Sequence, residues 1–361
     1  MHMPPPVHGA AMMGKYIHDS KLINDTFDCI YINPSASKDV ANVGKINPQK
    51  ILFIFSNIYH IIKTVLREKP DLCYFTSTIG GAGIFRDMLI VGVLKLLRKK
   101  IVLHLHNKGA KKYNQKQPLS TIAYKIIFTN VKVIQLSEYL YEDIEKFASK
   151  ANVYICPNGI PETLSTEPSV IRNNSVPKLL FLSNLLIDKG VFTLLDACKI
   201  LRDKGYKFSC DFIGGETSDI NSERFNKEVK IRELIGVTEY KGKKYGKEKD
   251  SFFRNADIFV FPTFYKGETF GLVNLEAMEY KLPVISTNEG GIPDVVEDGV
   301  NGFICKKEDP YSLAECIEKL ILDKNLRYRM GENGYKKFKT KYTLSSFEKN
   351  IETILMQCIN N

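Results

Sequence analysis

DIFVFPTFYKGETFGLVNLEAM, residues 257–278, reads as a buried strand ending at Thr263, a short loop, and a helix that opens near Phe270. Glu268 closes the loop, and Glu276 follows eight residues later on the helix. The backbone N–H groups of Phe270, Gly271 and Leu272 have no partner within the helix. They would point at an anion, which the helix dipole also favours. Gly271 lets the backbone approach such a ligand closely. A carboxylate on each side of a phosphate-binding turn can accept hydrogen bonds from sugar and ribose hydroxyls. An E-x7-E spacing alone would read as a capping carboxylate and a solvated helical Glu; the strand–loop–helix context points instead to a ligand.

Outward from this segment, strand and helix signals alternate along the whole chain. CIYINP (29–34), DLCYFTS (71–77), KIVLHLH (100–106), KVIQLS (132–137) and NVYICPNG (152–159) are β-rich runs, with helical stretches at 50–67, 84–98, 118–129 and 138–149. The polar, proline-containing segment 161–177 breaks the pattern and reads as a linker. The alternation then restarts with KLLFLSN, FSCDFIGG, DIFVFPT, PVISTNE and NGFICK, separated by helices near 189–204, 221–235, 248–255, 271–281 and 292–297. From Pro310 onward the chain is almost all helical. The pattern predicts an α/β protein of two Rossmann-like domains facing a cleft, over 1–165 and 176–335, with a helix at 336–361 returning to the first domain. Ligands of open parallel sheets bind beyond the carboxyl ends of the strands, where Glu268 stands.

With 361 residues, 44% apolar and 25% charged, the chain suits two globular domains and excludes a disordered protein. Its eight cysteines have no CxxC spacing and lie mostly in apolar runs, as buried free thiols of a reducing cytoplasm would. The stretch MHMPPPVHGAAMMGKY does not read as a signal peptide, and no apolar run reaches the roughly 20 residues of a membrane span. The net charge of +10 lies entirely in residues 1–160, concentrated in KLLRKK (95–100) and NKGAKKYNQK (107–116). Such asymmetry suggests an anionic surface or substrate, with a solvated basic face as the alternative. Aromatic residues are sparse in these lysine runs, so no nucleic-acid partner is expected.

The E-x7-E segment resembles the signature of the family-4 retaining glycosyltransferases of GT-B fold. PPPVHG near the start, CPNGI (156–160), the run ending in Lys189-Gly190, GETFGLVNLEAM (267–278) and EGGIPDVVEDGVNGF (289–303) stand in that family's order. The resemblance implies a role for each matched residue. Glu268 would contact the donor sugar's hydroxyls, and Glu276 the ribose. The run Thr269, Phe270, Gly271 and Leu272 would hold the diphosphate, and Lys189 would neutralise it. Gly9 matches the glycine of the first loop, where backbone approaches the donor phosphate, with His8 at the lip; Gly291–Pro293 would shape the sugar-side loop. His106, ending its strand, matches a histidine near the anomeric region; His104 shares its strand face, and His106 is favoured as nearer the carboxyl end. Two departures stand out. Asn184 occupies the place where the family usually has Arg, so it donates a hydrogen bond without charge. Only Met1, His2 and Met3 precede the prolines where the family has an apolar strand, so the reading frame is expected to continue upstream with one.

The implied reaction moves a sugar from a nucleoside diphosphate sugar, UDP by resemblance, to an acceptor hydroxyl with retention. Glu268 and His106 would serve catalysis, and the departing phosphate oxygen would assist as base. No DxD-like carboxylate pair is placed for Mg²⁺, so neither metal nor cofactor is expected. Positive charge and helix-terminus amides would stabilise the leaving group. The basic first half points to an anionic membrane surface and a lipid-linked, glycolipid or cell-envelope glycan acceptor. The expected location is the inner face of the cytoplasmic membrane. The competing readings are a nucleotide-sugar epimerase of the same fold, for which no acid/base carboxylate set is identifiable, and a non-catalytic sugar-nucleotide binding protein.

Overall fold

The computed structural model describes residues 1–4, 9–33, 48–163, 172 and 174–360. The chain divides into two compact units, Met1–Asn158 with Leu344–Asn361, and Gly159–Thr343.

The first unit runs α1 (Gly9–Asp19), α2 (Lys21–Thr26), α3 (Pro48–Glu68), β1 (Leu72–Ser77), α4 (Gly83–Leu96), β2 (Lys100–Leu105), α5 (Ala110–Lys116), α6 (Ser120–Phe128), β3 (Lys132–Gln135) and β4 (Val153–Ile155), closed by the C-terminal α14 (Leu344–Asn360). Its strands are parallel in the order β1-β2-β3-β4. Successive residues of β2 alternate between two cores, as the two-residue period of a strand requires. Ile101, Leu103 and Leu105 pack with Val65, Leu94 and Ile127 of α3, α4 and α6. Val102 packs with Met13, Ile17, Phe347 and Ile351 of α1 and α14.

Local signals failed here in two places. Residues 138–149 do not form a helix but a short 3₁₀ turn, Glu138–Asp143. Asp143 is drawn instead to the start of α5, where its carboxylate accepts from the N–H groups of Gly109 (2.7 Å), Ala110 (3.0 Å) and Lys111 (3.1 Å). The described part of CIYINP, residues 29–33, joins no ladder; the Ile32 carbonyl accepts from the Met1 amine at 2.8 Å.

The second unit runs β5 (Lys178–Leu182), α7 (Val191–Asp203), β6 (Ser209–Ile213), α8 (Ser222–Ile231), β7 (Thr238–Tyr240), α9 (Gly246–Asn255), β8 (Ile258–Phe261), α10 (Leu272–Glu279), β9 (Val284–Thr287), α11 (Ile292–Val295), β10 (Gly302–Cys305), α12 (Pro310–Leu322) and α13 (Lys324–Lys341). The strand order is β10-β9-β8-β5-β6-β7, all parallel. Chain order reverses between β8 and β5, so the segments leaving those two neighbours diverge and leave a binding crevice at their carboxyl ends. All four residues of β8 are buried, which explains its unbroken apolar run. Asn221, Asp309 and Asp323 cap α8, α12 and α13 through side-chain bonds to backbone N–H groups. Helix α13 runs continuously through residue 336 and stays in the second unit, so only Leu344–Asn361 joins the first. From the linker, Arg172 donates to the carbonyls of Phe253 (3.3 Å), Tyr280 and Lys281 (3.4 Å), where α9 and α10 end.

All eight cysteines are free thiols, with Cys29 and Cys73 half-buried and the rest buried. Burial pushes Cys305 up to about 12 and Cys316 to about 11, so neither is a reactive thiolate.

Candidate functional site

The crevice between β5 and β8 collects residues from three loops. After β5 the chain makes a 3₁₀ turn, Ile187–Lys189, and Gly190 turns it into α7 with φ +84°. A Cβ on Gly190 would lie 2.3 Å from the Pro262 carbonyl oxygen, so only glycine lets this turn close onto the end of β8. That approach carries Lys189 to Glu268, and their side chains pair at 2.5 Å. Both are largely enclosed, at 15% and 13% exposure. The ammonium also lies 4.6 Å from the ring centre of Tyr265 and 5.4 Å from that of Phe261.

The second Glu268 oxygen accepts from the Gly271 N–H at 3.1 Å, so this carboxylate holds both a cation and the amino end of α10. Gly271 has φ +68°, and a Cβ there would meet Asn274 Nδ2 at 2.7 Å. Beneath it, Asn274 is fully buried, with neither amide atom bonded among the described residues. Thr269 is buried and its carbonyl accepts from Gly291 at 2.7 Å, while the Glu268 carbonyl would lie 2.4 Å from a Cβ on Gly290. The GGIP motif therefore supports the Glu268 turn from below. The Phe270 ring is buried edge-on against Tyr342 at 5.9 Å, leaving only its backbone for a ligand. Leu272 is the first residue of α10. One turn on, Glu276 pairs with Lys249 of α9 at 3.0 Å.

Asn184 is exposed just beyond β5. A Cβ on Gly215 would stand 2.9 Å from Asn184 Oδ1 and 3.7 Å from Lys243 Cδ, which makes Asn184 and Lys243 neighbours. Sequence reasoning missed Lys243. Its signal was the run KGKK directly after a strand; nearby Lys241, Lys244 and Lys249 face Glu239, Glu248 and Glu276.

The other two predicted residues belong to the first unit. Gly9 opens α1, and His8 lies outside the described residues. His106 follows β2 and is half-buried, its ring 4.0 Å from that of His104. His104 is fully buried, and burial, with His106 adding to it, holds it well below the ordinary histidine range. The Tyr74 hydroxyl, which burial keeps protonated, shares a hydrogen bond of 2.5 Å with His104 Nδ1 that orients the ring.

Comparison with known proteins fits this geometry. The family model described as glycosyl transferases group 1 matches residues 165–337. An uncharacterized glycosyltransferase of Methanocaldococcus jannaschii is 30% identical over 324 residues, covering 88% of this chain and 84% of that protein. The capsular polysaccharide biosynthesis glycosyltransferase CapM of Staphylococcus aureus is 28% identical over 319 residues, 83% of this chain and 81% of that protein. Among solved structures, a glycosyltransferase of Rickettsia africae superposes with a TM-score of 0.72 at 18% identity, over 98% of this chain and 89% of that one. Anabaena HepE in complex with UDP superposes at 0.69 and 17% identity, over 84% and 82%.

Proposed function

The chain belongs to the group 1 glycosyl transferases and carries their GT-B fold, and from that premise we propose a UDP-sugar-dependent, retaining, metal-independent transfer to a lipid-linked or cell-envelope glycan hydroxyl. The observation that carries the reading is the Lys189–Glu268–Gly271 cluster at the amino end of α10. A diphosphate there would meet a largely enclosed cation and helix N–H groups, the charge stabilisation its departure as leaving group needs. Glu268 would take the sugar hydroxyls, Glu276 the ribose, and Lys243 would supply the charge that Asn184 lacks. His106, from the first unit, would orient donor and acceptor. The relation to CapM supports a glycan of the cell envelope as acceptor, and the UDP complex of HepE supports UDP as nucleotide. Among the described residues no three His, Cys, Asp or Glu side chains gather in a way that could hold a metal ion, and none forms a helix long and apolar enough to cross a membrane. We place the enzyme peripherally on the inner face of the cytoplasmic membrane.

A screen of UDP-sugars by thermal shift, followed by UDP-release assays with and without EDTA, tests the reading. Stabilisation by a UDP-sugar and turnover that survives chelation are expected. Loss of turnover in EDTA with recovery in Mg²⁺ or Mn²⁺ would overturn metal independence.

A further inference from the structure

Helices α3, α4 and α6 of the first unit lie side by side on one face of its sheet. Each buries one stripe in the core through Ile61 and Val65, Ile84, Val91 and Leu94, or Tyr124 and Phe128. A helix that covers a sheet ordinarily turns a polar face outward. These three do not. Leu52, Phe55, Tyr59 and Leu66 line the outer face of α3 at helical spacing, and all are exposed. Phe85, Leu89 and Leu96 do the same on α4, with Leu96 at 84% exposure, and Leu119, Ile122 and Ile126 continue the pattern at α6. Apolar faces on three adjacent helices make a patch, not scattered single residues, and such patches mark contact with something.

The charge around the patch identifies the occupant. Between residues 48 and 130 the sequence has fourteen Lys and Arg against three Asp and Glu. Of those three carboxylates, Asp87 is fully buried and Glu68 is paired with Arg67. Lys63 and Lys125 are exposed on α3 and α6 themselves, and Lys116 and Arg98 on the segments beside them. A second copy of this face would be repelled by its like charge, and a nucleic acid would leave the Leu and Phe side chains unsatisfied. An apolar interior under an anionic headgroup layer complements both features.

We propose that the outer face of α3, α4 and α6 docks on an anionic phospholipid bilayer, with the apolar residues entering the interface and the surrounding cations contacting headgroups. This gives a surface to the membrane location proposed above and rests on that reading. Within the lysine runs that dominate the sequence it keeps Arg98 and Lys116 beside the patch, whereas three others are already engaged. Lys99 donates to the Pro70 carbonyl (3.0 Å), Lys100 to that of Ile359 (2.6 Å), and Lys111 pairs with Glu142 (2.6 Å).

The test is co-sedimentation of the full chain with phosphatidylglycerol-containing and pure phosphatidylcholine vesicles, with UDP binding by calorimetry as an independent check on the donor site. Leu89→Ser, Leu96→Ser and Ile122→Ser combined should weaken binding to anionic vesicles about a hundredfold, since three exposed aliphatic side chains that would enter the interface are lost. Lys63→Glu with Lys125→Glu should weaken it about tenfold or more, an effect that 1 M salt removes. Both variants should bind UDP as wild type does. Wild-type binding to anionic vesicles that neither variant weakens would overturn this surface while leaving the membrane location standing. No vesicle binding by a wild-type protein that still binds UDP would overturn both surface and location, and leave the glycosyltransferase reading intact.

Discussion

Replacing Glu268 with Gln should tighten UDP binding while slowing sugar transfer. The Glu268 carboxylate lies 2.5 Å from Lys189 Nζ and accepts from the Gly271 N–H, the two groups a diphosphate would use. A phosphate oxygen bonded to the same Nζ at about 2.8 Å would stand roughly 4–5 Å from that carboxylate. Two unit charges at that separation repel by ~4 kcal/mol at an effective dielectric of 20. The carboxylate is 13% exposed, and Gln still accepts from Gly271, so part of that repulsion is screened and one competing bond survives. A net gain of about 1.4 kcal/mol, tenfold in Kd, is the expectation. Transfer from a UDP-sugar should fall by about 10–100-fold, because a charged acceptor for the sugar hydroxyls is lost where positioning matters most. Calorimetry with UDP gives the first quantity, and UDP release under saturating donor the second. A Glu268→Gln protein with an unchanged melting temperature and unchanged or weaker UDP affinity would refute the reasoning, because the carboxylate would then not oppose the diphosphate.

Three further outcomes follow from the same geometry. Glu276→Ala should raise the UDP Kd by about 10-fold through loss of the ribose acceptor, with little effect on the melting temperature, since its partner Lys249 is already part-exposed; an unchanged Kd would remove Glu276 from the site. Lys243→Ala should raise the UDP Kd by about 5–10-fold at low salt and by less at 1 M, where the Debye length is about 3 Å; a salt-independent or absent effect would leave Asn184 without a compensating cation. His104 is neutral in the folded state because burial depresses its pKa, whereas the unfolded chain takes up a proton near pH 6.5. Stability should therefore be fully present above about 6.5 and fall as pH drops below it, by up to ~1.4 kcal/mol per pH unit; His104→Gln should flatten that slope in urea titrations between pH 7.5 and 5, and equal slopes would count against it.

What could be read from the sequence is what neighbouring residues decide. The buried strand read as ending at Thr263, the loop closed by Glu268 and the helix read as opening near Phe270 follow from local periodicity, and the structure has the strand to Phe261 and, after the left-handed turn at Gly271, the helix from Leu272. The strand–helix alternation likewise gave the parallel sheets, and the excess of charge in residues 1–160 needed only counting. Where the sequence reading failed, a distant group intervened. Residues 138–149 have helical spacing, yet Asp143 leaves that segment to bind three N–H groups more than thirty residues away. Tertiary structure alone decided that Lys189 and Glu268 share a bond, because only the reversal of strand order sets the loops after β5 and β8 side by side. It alone set Lys243 beside Asn184, and showed which lysines are bonded to carbonyls and carboxylates. The outward apolar faces of α3, α4 and α6 were equally hidden, since a helix apolar on two sides reads from sequence as fully buried, and only the packed neighbours reveal which side remains uncovered.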